Sequence, residues 1–346
     1  MGVLMNKKTG CLITLLLLAL VVSLGLNLGQ LLGKLDFDVG ADMAFSSARP
    51  KRQLSEVTVE TAKQPTRDKI VHIDLEGIIS SMDMGGLFAD AMPSVDSIKH
   101  ALEQAVGDKN VKAIVLRVNS PGGEVTASDI IYNAVKKAAK EKPVVVYMDS
   151  MAASGGYYVA CGATKIIASE TTLTASIGVI IETMNYSDLF GKVGLSMTTF
   201  TSGAFKDSLS GARPMRDDEK AYVQNLVTQM YERFLGIVSE SRGVPKEQLK
   251  DVADGRVVTG REALAAKLVD QIGYVEDAYA LARELGKAAD AGVVKYHRDV
   301  SLFDVFGMAS AKAAAPPAKV QLDLSSGLLP KLLPGVPYYL PPGYAR

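Results

Sequence analysis

Three short apolar runs, residues 70–75, 113–118 and 144–148, are separated by stretches whose apolar residues recur at helical spacing. No other feature limits the possible folds of this chain as strongly. A short run rich in Ile, Val and Leu suits a strand covered on both faces. Helices between such strands supply the crossovers that parallel pairing requires. The pattern predicts βαβ units and a largely parallel sheet, an α/β fold. Helical spacing covers residues 94–106, a stretch near 125–140, and Asp217–Arg242. Asp217, Asp218 and Glu219 suit the positive end of that last helix's dipole. Shorter apolar runs follow at 165–168 and 177–181, with a helix predicted at 186–193 and a strand at 195–201.

The 346 residues are ample for a large core, and 38 basic residues balance 38 acidic ones. Nothing in that balance suggests a nucleic-acid surface. Cys11 and Cys161 make no disulfide framework, and no Cys-x-x-Cys or His-Glu-x-x-His spacing supports a metal site. No cofactor is expected.

The N-terminus carries its own message. Lys7 and Lys8 precede residues 11–26, where only Thr14 and Ser23 are polar, and the stretch continues to residue 33. At 1.5 Å per residue this makes about 34 Å of helix, enough to span a bilayer. No small-x-small site closes it before Lys34, so residues 1–34 read as an uncleaved single-pass anchor touching lipid through 11–33. The lysines favour a cytoplasmic N-terminus, hence an extracytoplasmic body on the inner (plasma) membrane. Residues 35–69 read as a polar linker and 70–290 as the body. Residues 291–346 form a C-terminal extension, Ala/Pro-rich at 309–319, with Leu and Tyr among prolines at 328–346. This tail is expected to lack regular structure, although its apolar content would let it dock on the body or the membrane.

The chemistry concentrates in a few segments. Ser154 lies in the small-residue turn Ser150-Met151-Ala152-Ala153-Ser154-Gly155-Gly156, just after an apolar run. Ala152-x-Ser154-x-Gly156 loosely echoes a nucleophile elbow. A serine hydroxyl needs a base, and His72, His100 and His297 all fall outside this segment and that of Lys206. A neutral lysine can replace histidine, and Lys206 in Ser202-Gly203-Ala204-Phe205-Lys206-Asp207 is the candidate. Asp207 would oppose neutralisation if its carboxylate approached. Gly122-Gly123 between a strand and a helix, with Gly155 after the serine, could aim backbone N–H groups at a developing oxyanion. Ser176 could hold the lysine amine.

Together these segments resemble the signal peptide peptidase A family in its short, single-repeat form. The likeness runs from about residue 70 to 285. It is carried by Asn119-Ser120-Pro121-Gly122-Gly123, Ala152-Ala153-Ser154-Gly155-Gly156-Tyr157-Tyr158, Thr174-Ala175-Ser176-Ile177-Gly178 and Gly203-Ala204-Phe205-Lys206-Asp207. Gly255-Arg256-Val257-Val258-Thr259-Gly260 and Leu268-Val269-Asp270 close it. The resemblance implies a crotonase/Clp-protease fold, a spiral of ββα repeats. It implies Ser154 as nucleophile, Lys206 as general base, Ser176 as its orienting residue, and Gly123 and Gly155 as oxyanion donors. Peptide substrates, cleaved signal peptides among them, and a homo-oligomer whose dyads form across subunits are further implications. Ala175 departs from the family pattern, where many relatives carry glycine. Two other readings stand beside it: an acyl-CoA enzyme of the same fold, and an inactive membrane scaffold.

Overall fold

The first strand, β1 (Ser55–Glu60), falls in the stretch read as linker, where Ser-Glu-Val-Thr-Val-Glu alternates polar and apolar residues. β2 (Lys69–Glu76), α1 (Val95–Gly107), β3 (Val111–Ser120), the two-residue β4 (Gly123–Glu124), α2 (Val125–Glu141) and β5 (Val144–Ala153) follow as the pattern predicts. A short α3 (Gly155–Ala160) precedes β6 (Lys165–Ala168), β7 (Leu173–Ala175), α4 (Ser187–Lys192) and the long α5 (Asp217–Arg242). The chain continues through α6 (Lys246–Leu249), β8 (Val257–Thr259), α7 (Gly260–Ala265), β9 (Gln271–Ile272), α8 (Val275–Leu285), β10 (Gly292–His297) and β11 (Tyr338–Tyr339). This computed structural model describes residues 53–81, 94–297 and 337–339. The predicted anchor lies outside the described residues, among which no helix is long and apolar enough to cross a membrane.

Nine strands make one mixed sheet in the order β1-β10-β2-β3-β5-β6-β9, with β7 on β5 and β8 on β7. Pairing is parallel from β10 to β9, and antiparallel where β1 meets β10 and β8 meets β7. The two covered faces of β3 explain its apolar content. Ala113 and Val115 pack on the α8 side with Tyr279 and Ala282, while Ile114, Leu116 and Val118 join the larger core with α1 and α2.

β5 changes neighbours partway along. Val145–Met148 pair with β6, whereas Met151–Ala153 pair with β7. The Thr172 hydroxyl pins this switch by donating to the Met148 and Asp149 carbonyls, 3.0 and 2.6 Å away. The sheet therefore splits at its carboxyl end, and the serine turn emerges from the split.

Two sequence expectations fail. Residues 195–201 form no strand and are exposed. The tail is not wholly irregular, because Tyr338 and Tyr339 pair with β4. The run at 177–181 contributes only an isolated bridge, from Ile180 to Tyr338.

Candidate active site

Ser154 sits at the junction of β5 and α3 with φ of 52° and ψ of −113°, a conformation L-residues seldom adopt. Its surroundings hold it there. The Ser154 N–H donates to the Ala175 carbonyl at 2.7 Å, and its own carbonyl accepts from Tyr158 N at 2.8 Å to begin α3. Ser154 is fully buried, and its Oγ has no hydrogen-bond partner. An unpaired buried hydroxyl on a strained backbone costs stability, of order 1–3 kcal/mol for each feature. Such costs concentrate where a group must be available for chemistry.

The candidate oxyanion donors converge beside it. Ile79 brackets Gly123: Ile79 N–H donates to Gly122 O and Glu124 N–H to Ile79 O, both at 2.8 Å. The Glu124 carboxylate fastens that segment by accepting from Ser80 Oγ at 2.7 Å and Ser81 N at 3.1 Å. Gly122 has φ of 101°, and a Cβ there would lie 2.5 Å from Gly155 N. A Cβ on Gly155 would lie 3.1 Å from Gly123 N. Only glycine lets these backbones approach so closely.

Ser176 stands at the end of β7, the strand adjoining the serine turn. Its hydroxyl donates to Gly255 O at 3.2 Å and its N–H to Arg256 O at 2.9 Å. Ala175 and Ser176 both adopt positive φ, 61° and 50°. The first of these falls where glycine would be unstrained, which gives the departure at Ala175 a physical meaning.

Lys206 is elsewhere. It lies on an exposed segment, and no bond joins it to Ser154 or Ser176 within the chain. The segment carries apolar side chains into solvent, including Phe200 at 92 % exposure and Met184 at 79 %, with Leu195 and Met197 more than half exposed. Asp207 does not compete for the lysine. Its carboxylate takes a bidentate pair from Arg213, at 2.9 Å from Nε and 2.7 Å from Nη2, which lowers its pKa. Arg213 and the Arg216 N–H also hold the fully buried Glu219, drawing its pKa down to about 2 against the opposing effect of burial.

No histidine bonds the Ser154 hydroxyl. His72 has both ring nitrogens engaged, by Tyr279 Oη at 2.8 Å and Asp74 Oδ1 at 2.9 Å. The sequence did not single out the aromatic group beyond the serine. Tyr158 of α3 and Phe234 of α5 face each other with centroids 4.9 Å apart, and Tyr339 completes the cluster. The Tyr157-Tyr158 pair immediately after the serine turn was the available signal.

A mixed α/β sheet with a strained serine at its carboxyl end matches the Clp-protease class, and residues 95–176 match the Clp protease family model. Residues 136–289 match the model for peptidase family S49. An Enterococcus faecium protein named for signal peptide peptidase SppA is 37% identical over 72% of this chain and 73% of its own. A Methanocaldococcus jannaschii protein named as a protease is 36% identical over 61% of this chain and 68% of its own. Protease 4 of Salmonella typhi is 36% identical over 68% of this chain but only 38% of its own length. The chain belongs to the S49 family of signal peptide peptidase A-like proteins, and it is a serine peptidase.

Proposed function

We propose that this chain is a membrane-anchored endopeptidase that hydrolyses apolar peptides, including cleaved signal peptides, with a serine–lysine dyad. The observation that carries the reading is Ser154 Oγ, buried and unpartnered on a strained turn whose next residue, Gly155, lies against Gly123. In this reading Ser154 Oγ attacks the scissile carbonyl and passes its proton to neutral Lys206. Gly123 and Gly155 N–H groups stabilise the oxyanion. The protonated amine then gives its proton to the leaving nitrogen, and water repeats the cycle to release the acyl group. Ser176 orients the lysine.

The lysine comes from a second copy of the chain. The exposed apolar segment around Lys206 supports this, since such a surface is costly in water and suits an interface. An assembly of this kind would place the site inside an oligomer, open to extended peptides and closed to folded proteins. Residues 11–33 would hold the spiral of ββα repeats at the outer face of the plasma membrane, close to apolar substrates. The test is a fluorophosphonate, which should label Ser154 and no other residue, combined with peptide cleavage that Ser154→Ala abolishes. Labelling elsewhere, or undiminished cleavage by the variant, would refute the assignment.

A further inference from the structure

We infer that Glu124 is a positioning residue whose carboxylate, through Ser80, Ser81 and Ile79, keeps the Gly122–Gly123 peptide turned so that the Gly123 N–H faces the serine turn. The inference deepens the proposed function and rests on its reading of Gly123 as an oxyanion donor beside Ser154.

The Gly122 carbonyl and the Gly123 N–H belong to one planar trans peptide unit, so they point in opposite directions. Both residues flanking that unit are glycines, and Gly122 has φ of 101°. With no Cβ on either side, little in the local backbone opposes rotation of the unit by half a turn. Such a rotation would exchange the two groups and aim a carbonyl oxygen at the place where an oxyanion develops, turning attraction into repulsion. The orientation must therefore come from bonds made to the unit.

Ile79 supplies them. Its N–H donates to Gly122 O and its carbonyl accepts from Glu124 N, both at 2.8 Å. With the Gly122 carbonyl fixed on the Ile79 side, the Gly123 N–H is directed to the other, where a Cβ on Gly155 would lie 3.1 Å from Gly123 N. Ile79 in turn sits in a short segment fastened at both ends. At its start, Gly77 N–H donates to Asn119 O at 3.0 Å, and Ser120 Oγ donates to Gly77 O at 2.6 Å while accepting from Gly122 N at 3.0 Å. At its end, Glu124 Oε1 accepts from Ser80 Oγ at 2.7 Å, and Oε2 accepts from Ser81 N at 3.1 Å and from the Ser81 hydroxyl. Glu124 thus grips the segment twice, by its main chain and by its carboxylate.

Three donors converging on one carboxyl group suit its ionised, acceptor-only form. Burial opposes that charge, yet the bonds from Ser81 and Ser80 hold the Glu124 pKa below the ordinary glutamate value. Among the described residues its side chain bonds only these two serines and no lysine or arginine. A buried carboxylate without a cation is costly. Here the groups it serves are the ones that steady Ile79.

Steady-state kinetics of the full-length protein on an apolar peptide test this, with a peptidyl aldehyde as second probe. Ser154 Oγ bonds the aldehyde carbon, the serine proton passes to the base, and the aldehyde oxygen takes the oxyanion position. Glu124→Ala should lower kcat at least about tenfold and change KM less than about twofold, because the lost alignment is felt only in the transition state. Glu124→Gln keeps one acceptor oxygen and should lose less. A Ser80→Ala/Ser81→Ala double variant, which removes two donors and leaves Glu124 in place, should also lower kcat at constant KM. Across the set the aldehyde's inhibition constant should rise in proportion to the fall in kcat/KM, a correlation that general loosening of the fold would not produce. Thermal unfolding identifies the folded variants, and if Glu124→Ala does not fold the serine double variant decides. Unchanged kcat in the deciding variant, an effect confined to KM, or aldehyde affinity that does not follow kcat/KM would overturn the inference, and Ser154-dependent cleavage would leave the proposed function standing. Cleavage that survives Ser154→Ala would overturn both.

Discussion

The turn that carries Ser154 and the segment that carries Lys206 are built on opposite principles. Ser154 is fully buried, flanked by β5, β7 and α3, with main-chain bonds fixing both its N–H and its carbonyl. Lys206 is exposed on a stretch where Leu195, Met197 and Phe200 face solvent, secured at its far end by the Asp207–Arg213–Glu219 cluster. One half is fixed by the folding of a single chain. The other is shaped for something that has yet to arrive. Under the proposed function, a pair divided this way couples activity to assembly, because an isolated chain would offer a nucleophile without its base.

The largest test of that contrast is chemical. Ser154→Ala and Lys206→Ala should each lower kcat/KM by at least about a thousandfold, since neither partner works without the other. Lys206→Arg should be as inactive, because a guanidinium does not give up its proton near neutral pH. Mixing inactive Ser154→Ala with inactive Lys206→Ala chains should restore part of the activity. No recovery, in a mixture shown by mass spectrometry to exchange subunits, would mean that each chain completes its own pair.

A smaller effect is expected from the exposed face. Phe200→Asp with Met197→Asp should reduce activity by about tenfold or more and shift the sedimentation coefficient toward a monomer. Thermal unfolding of the isolated body should change little, because substitutions at unpacked surface positions cost about 0.5 kcal/mol or less. A large drop in Tm with unchanged sedimentation would place these side chains in the core instead.

Acid should separate the two regions further. Arg213 holds the Glu219 carboxyl near 2, below the roughly 4.5 of an unfolded glutamate. A depressed value means its stabilising contribution is complete above about pH 4.5 and lost as pH falls toward 2. Limited proteolysis near residues 205–219 should accelerate across that window, while the β5–α3 turn stays protected. Glu219→Gln should open the same region at pH 7 and remove its acid dependence. Equal acid sensitivity of both regions would erase the distinction.

The smallest expected change is none. Burial raises the Cys161 thiol to about 11, so it should resist maleimide at pH 8 until the protein unfolds. Mapping the modified cysteine by mass spectrometry checks this, and rapid native labelling would show the serine turn to be looser than its packing implies.

The sequence disclosed the interior better than the edges. The Ile, Val and Leu content of 113–118 suits a strand covered on both faces even with Arg117 among them, and β3 is one. The serine and glycine turns were legible because small residues at such spacing have few other uses. Residues 195–201 misled because alternating apolar residues resemble a strand, yet a strand needs a neighbour to bond with and none lies beside it among the described residues. β1 and β10 were hidden for the converse reason, since each is short and half-exposed, β10 becoming a strand between β1 and β2 and β1 by pairing with β10. Prolines around Tyr338 argued for irregular backbone. What gives that segment its order is the open edge of β4, which no local pattern reveals.

Residues 298–337 join the end of β10 to β11, so the segment paired with β4 is covalently leashed to the sheet. A segment tethered close to its own docking edge behaves as though dissolved at about millimolar concentration near it. Any other strand that would pair with β4 must therefore displace a competitor that dilution cannot remove, and only a cut between β10 and β11 would free that edge permanently.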